Sequence, residues 1–184
     1  ESSLERDYIN ILEFNNDVNE YFEQPLKIYY HVDGKRRYYV PDFYVKYIDE
    51  RPDEIIEIKY EEALKRNKEK LKEKFKAARR FCAKNKLKFK ILTENDIRND
   101  FLLNSKFLLS YRHPKNSIDF NDVDRIEYLI QSLKKPTPKI IIDALDEGIE
   151  RKAYLLYVLW FMVANDLVKI ELKIKLTMNS KIWL

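Results

Sequence analysis

Apolar side chains recur at Leu4, Tyr8, Ile11 and Leu12, the spacing of one helix face, so a helix is predicted over about 2–14. Ser2 to Glu5 matches the start signal of such a helix. Strand-like runs follow. The first is Leu26 to Val32, closed by the turn signal Asp33-Gly34, and the second is Arg37 to Ile48, interrupted by Pro41. Glu54 to Tyr60 is a third strand, with Ile56 and Ile58 on one face and Glu57 and Lys59 on the other. Leu64, Leu71, Phe75, Ala78 and Cys82 form the seam of a long helix over about 61–85. Leu87 to Leu92 is a fourth strand, and Thr93 to Asp96 starts another helix.

Beyond Tyr111 the pattern changes. Residues 111–118 are polar and hold Pro114, so the expected division is a first domain at 1–110, a linker at 111–118 and a second domain at 119–184. Helices are predicted near 119–133, 138–147 and 150–164, then two strands over 166–174 and 177–184. Three helices followed by a β-hairpin is the order of a winged helix. The expected fold class is α/β, a mixed sheet with flanking helices, followed by this small α+β domain.

Composition narrows the chemistry. Two glycines, Gly34 and Gly148, leave no glycine-rich phosphate loop and no nucleophile elbow. One cysteine, Cys82, excludes an internal disulfide framework and a Cys-built zinc site, and the two histidines, His31 and His113, lie too far apart in sequence to suggest a His-rich metal site. A metal would have to sit on carboxylates, which favours Mg2+ or Mn2+. The longest apolar run, Ala153 to Ala164, is too short to cross a bilayer, and no secretory signal is visible. The chain begins without Met, so a preceding segment is expected.

One constellation carries chemistry. Pro41-Asp42 stands ahead of Glu57-Ile58-Lys59, the PD…ExK arrangement. Two carboxylates on adjacent strands offer hard oxygen ligands, and phosphodiester hydrolysis needs a divalent metal to polarise phosphoryl oxygen. A lysine two positions after the second acid lies on the same strand face, where it can orient the attacking water. Glu5, beside the inward stripe of the first helix, is a candidate third acid, less secure because it also suits the helix cap. The candidate catalytic set is therefore Glu5, Asp42, Glu57 and Lys59, with Asp42, Glu57 and Glu5 as metal ligands for one or two ions. Lys59 to Lys90 holds 14 Lys or Arg and 4 Asp or Glu, net +10 in a chain of +4, so the remainder is −6. Lys35, Arg36, Arg37, Lys65, Arg66 and Lys72 are the candidate DNA contacts. A structural role competes for each residue: a solvated strand face for Glu57 and Lys59, a bulge for Asp42, an exposed helix face for the basic run. Cys82 reads as buried, His31 and His113 as surface, and Tyr154, Tyr157, Trp160 and Phe161 as core. Gln24 either places its amide near the site or opens a strand. Order favours catalysis: helix with Glu, hairpin, Pro-Asp strand, Glu-x-Lys strand, basic helix and further strand is the core order of the restriction-endonuclease-like fold.

The ordered set Ser2-Ser3-Leu4-Glu5, Leu12-Glu13-Phe14, Glu23-Gln24-Pro25, Tyr39-Val40-Pro41-Asp42-Phe43, Glu57-Ile58-Lys59-Tyr60 and Leu92-Thr93-Glu94 resembles the TnsA endonuclease of Tn-seven-type transposons. The tail from Leu176 to Leu184 resembles that family's winged-helix end. The resemblance implies a nuclease subunit of a heteromeric transposase that cuts the 5′ strands at transposon ends. Its partners would be double-stranded DNA, a DDE-type transposase that cuts and joins the 3′ strands, and an AAA+ ATPase regulator. It also implies a bacterial cytoplasmic protein, acting at the nucleoid and without a membrane. Two alternatives stand beside it: a stand-alone PD…ExK nuclease of restriction or junction-resolving type, and a catalytically idle DNA-binding or adaptor module. The helix at 150–164 carries charge only at its start, so the second domain is expected chiefly to dock protein.

Overall fold

A computed structural model describes residues 2–114, 117–145 and 147–184. Its residues divide into two compact units, Glu1–Arg98 and Asn99–Leu184.

In the first unit, helix α1 (Ser3–Phe14) starts where Ser2 caps it, the Ser2 hydroxyl accepting from the Glu5 amide. Strands β1 (Val18–Glu23), β4 (Phe43–Tyr47), β5 (Glu54–Ile58) and β6 (Lys88–Leu92) form one sheet in the order β1-β4-β5-β6. β1, β4 and β5 run antiparallel, whereas β5 and β6 are parallel. The crossover between β5 and β6 is helical, as a parallel pair requires. It is not one helix over 61–85, because Asn67 interrupts it and leaves α2 (Glu61–Arg66) and α3 (Lys68–Lys84).

The predicted strand over 37–48 is two strands. β2 (Ile28–Val32) and β3 (Lys35–Tyr39) make a separate hairpin, and the chain crosses at Pro41-Asp42 into the main sheet at β4. Pro41 has no N–H to donate, which suits a break between ladders. Sequence pattern gave no strand over 18–23, whose side chains are exposed or half-buried at one sheet edge. The short helix α4 (Glu94–Ile97) follows β6, capped by Thr93 and Asp96 as expected.

β5 is buried at every position. On one face Phe43 of β4 lies opposite Ile56 and packs edge-on to Tyr8 of α1, ring centroids 5.3 Å apart. On the other face Phe89 of β6 pairs with Ile55 and meets Phe75 of α3 at 5.8 Å. α1 and α3 thus sandwich the sheet, and the same α3 packs on β2 through Ile28, Tyr39 and Ala78.

The second unit holds α5 (Asp100–Arg112), α6 (Phe120–Ser132), α7 (Pro138–Ala144), α8 (Ile149–Ala164) and a pair of two-residue strands, β7 (Lys169–Ile170) and β8 (Ile182–Trp183). Residues 100–110, expected in the first domain, fall here as part of α5, and Lys115 and Asn116 of the expected linker lie outside the described residues. The reason is a buried amide. Asn104 Nδ2 donates to the carbonyls of Leu172 and Ile174, both at 2.8 Å, and its Oδ1 accepts from the Leu176 amide at 3.1 Å. Phe107 also packs edge-on to Trp160 at 5.2 Å. The same bonds explain why the predicted strands over 166–174 and 177–184 shrink. Backbone groups that a hairpin ladder would use are taken by the Asn104 side chain. α8 buries Leu155, Val158, Leu159, Trp160, Met162 and Val163, so it is a core helix. Asp122 pins α6 to it, accepting from Arg151 at 2.6 Å. No helix among the described residues is long and apolar enough to cross a membrane.

Candidate functional site

The site forms where the hairpin joins the main sheet. The Asp42 amide donates to the Ile56 carbonyl at 3.1 Å, which extends the β4–β5 register by one residue beyond Phe43 and Ile56. That register puts Asp42 beside Glu57, on the face covered by α3. The Asp42 carboxylate then accepts from the Ile58 amide at 2.5 Å, through Oδ2. Gln24 reaches the same place by its backbone: its N–H donates to the Asp42 carbonyl at 2.9 Å. The Gln24 residue itself is exposed and closes β1 with a left-handed φ of 47°.

Glu57 is wholly buried. An isolated carboxylate there would cost several kcal/mol, so a buried acid at this position needs close cationic partners. Lys74 of α3 is 2.5 Å from Oε1, and Lys59 is 3.2 Å from the same oxygen. Lys59 lies past the end of β5, where its amide donates to the Leu92 carbonyl at 3.0 Å. Its ammonium also stands 3.6 Å from Asp42 Oδ2 and donates to the Ile58 carbonyl at 2.9 Å. Two ammonium groups thus balance two carboxylates.

The electrostatics follow. Burial pushes the Asp42 carboxyl above its ordinary value, and the neighbouring Glu57 charge adds to this. The Ile58 hydrogen bond and Lys59 pull the other way without prevailing, and the charge of Glu5 is felt in the same direction as Glu57. For Lys59 burial works against the charged form, yet Glu57 and Asp42 hold its ammonium above the usual lysine value. The Tyr39 phenol is raised by burial first and by Glu57 next. Its ring lies under Lys74, 4.5 Å from Nζ to centroid. Burial pushes the Cys82 thiol up to about 11, which leaves it unreactive.

The sequence-predicted residues divide. Asp42, Glu57 and Lys59 come together. Glu5 sits near enough to be felt electrostatically, but its carboxylate accepts from the Ser2 hydroxyl at 2.9 Å, at the helix start. Among the described residues no group of three His, Cys, Asp or Glu is gathered tightly enough to hold a metal. The expected three-acid set Asp42, Glu57 and Glu5 is therefore not assembled. A two-carboxylate donor set is present, and one observation fits it to a hard cation: Glu57 Oε2 is buried without a hydrogen-bond partner. Of the candidate DNA contacts, Lys35, Arg36 and Arg37 are exposed on β3. Lys65 pairs with Glu61 at 2.5 Å, Lys72 lies 3.9 Å from Glu69, and Arg66 is exposed.

Sequence reasoning missed Lys74. A signal was available: Lys74 is three residues after Leu71 and four before Ala78, on the inward seam of a helix whose other lysines face out.

Residues 15–94 match the family model described as TnsA-like endonuclease N terminal, a span that holds Asp42, Glu57, Lys59 and Lys74 and stops short of the second unit. A search of curated proteins returns no match. Over residues 15–94, with the acid pair and both lysines inside the matched span, the chain is similar to the TnsA-like N-terminal endonuclease family.

Proposed function

We propose that the chain is the nuclease subunit of a transposase, cutting the 5′ strands at transposon ends by hydrolysis of a phosphodiester. The observation that carries the reading is the buried Asp42–Glu57 pair with the Lys59 ammonium between the two acids, inside a segment of an endonuclease family. Asp42 and the free oxygen of Glu57 would hold Mg2+ or Mn2+, which supplies Lewis-acid activation of the phosphoryl group. Lys74 balances Glu57 at Oε1, so Oε2 remains available to a ligand. Lys59 turns from the acid pair toward the substrate, orients the attacking water and stabilises negative charge on the phosphoryl oxygens. The Ile58 amide fixes the Asp42 carboxylate, so one acid keeps its aim while the ammonium moves. The exposed cations of β3 and α2 would engage DNA phosphates, which position the duplex without reading its sequence.

Site choice then falls to partners. These are a DDE-type transposase acting on the 3′ strands and an AAA+ regulator, with a winged-helix role for the second unit in docking them. Lys59→Ala tests the assignment. It is expected to abolish 5′ nicking of an end-bearing duplex while assembly with the transposase partner persists. Loss of assembly with nicking intact in the residual complex would refute it.

A further inference from the structure

The hairpin carries a second surface that the acid pair does not use. Tyr29 and Tyr38 are cross-strand partners on its outer face, each about half exposed, with ring centroids 6.0 Å apart. A cation lies against each ring: the Arg36 guanidinium is 4.2 Å from the Tyr29 centroid, and Lys27 Nζ is 4.7 Å from that of Tyr38. Exposed aromatic faces held in place by neighbouring cations are surfaces on which another flat group can stack.

Lys27 and Tyr29 of this cluster also line a groove of about 520 Å3 between β2 and α3, whereas Tyr38 and Arg36 lie outside it on the outer face. Its floor is Ile28, Ala77 and Phe81, and its α3 wall carries Lys76, Arg80 and Lys84. These three follow at i, i+4 and i+8, a row inclined to the helix axis with a rise of about 6 Å per step, close to the repeat of a phosphodiester strand. Glu73 is the one acid on the wall, 4.0 Å from Lys76. Among the described residues Lys27, Arg80 and Lys84 have no acidic partner within 4.0 Å.

A row of cations, two of its three members without an acidic partner, beside flat aromatic and guanidinium surfaces is the pattern of a groove that tracks a backbone and stacks bases. A duplex keeps its base faces stacked on each other, so it could use the cations but not the rings. We propose that this groove is a second nucleic-acid site, one that takes an unpaired DNA strand with phosphates along Lys76, Arg80 and Lys84 and bases passing over the β2 edge onto Tyr29 and its ring and guanidinium neighbours Tyr38 and Arg36. The proposal rests on the reading of the chain as a DNA endonuclease.

The test is fluorescence anisotropy with the full chain, in chelator so that nothing is cut. The probes are a labelled oligothymidylate of about 15 nucleotides and a duplex of the same length. Wild type is expected to favour the single strand. Tyr29→Ala with Tyr38→Ala should weaken that binding about 10-fold or more and leave the duplex within about two-fold. Tyr29→Phe with Tyr38→Phe, which keeps the rings, should bind as wild type. Arg80→Ala with Lys84→Ala should lower the single-strand salt slope by about 1.4. Single-strand binding unchanged in the double Ala tyrosine variant, with its melting temperature preserved, would overturn the proposal, as would a tyrosine-independent preference for duplex. Failure here is separable from failure of the nuclease reading. A chain that cuts duplex yet binds oligothymidylate without its tyrosines loses only the groove. A chain that binds through the tyrosines yet never cuts loses only the nuclease.

Discussion

Lys74→Met removes one of the two cations on a wholly buried acid and keeps an apolar stem at that position of α3. At the observed 2.5 Å, with an effective dielectric constant near 20, the attraction is about 7 kcal/mol, most of it offset by desolvation of both groups. Breaking a buried pair from one side typically costs about 3–5 kcal/mol. Lys59 stays 3.2 Å from the same oxygen and keeps part of the compensation, so a loss of about 2 kcal/mol is expected. For a unit the size of residues 1–98 that is a fall of roughly 10 °C in Tm. Both tryptophans, Trp160 and Trp183, belong to the second unit, so their fluorescence does not report on the first. Calorimetry and far-UV circular dichroism do. Glu57→Gln in the same chain completes a double-mutant cycle. The paired variant should cost at least about 1 kcal/mol less than the two single losses added together. A loss below about 0.5 kcal/mol for Lys74→Met, with no coupling to Glu57, would show the pair to be worth no more than a surface contact and refute the reasoning.

Asp42→Asn should raise Tm at neutral pH. Because the Asp42 carboxyl is raised by burial and by Glu57, the folded chain holds that proton more tightly than the unfolded chain. Wild-type stability therefore falls as pH rises from the ordinary value of 3.8 through the raised one. The advantage of Asn should shrink as the buffer is taken into acid, and a constant difference across pH would contradict it. Phe43→Ala, which empties a fully buried position against Tyr8 and Ile56, should cost about 3–5 kcal/mol in denaturant melts, with no dependence on salt.

Asp42, Glu57 and Lys59 were legible because strand alternation and the Pro-Asp break act over a few residues. Their union depends on nothing more distant than the β4–β5 register. Lys74 was not, since its partner lies 17 positions away and it stands in a run with lysines at 70, 72 and 76 that look alike in sequence. Leu71 and Ala78 marked its inward direction without naming Glu57. β1 escaped notice because an edge strand with an exposed face has little alternation to read. In the second unit the helices followed from periodicity, whereas the tail depended on the single buried amide of Asn104. Glu5 looked equally suited to capping and to metal binding, and its bond to Ser2 reveals only the first.

The central claim is that Asp42 belongs to a metal-dependent phosphodiesterase that acts within a transposase. A strand-specific cleavage assay on a labelled transposon-end duplex tests it most directly, run with and without Mg2+ and with and without the DDE-type partner. Wild type should nick the 5′ strand only when metal and partner are both present, and Asp42→Ala, still bound to the partner, should leave the strand whole. Equal nicking by wild type and Asp42→Ala, or cutting by neither with the complex fully assembled, would contradict the account.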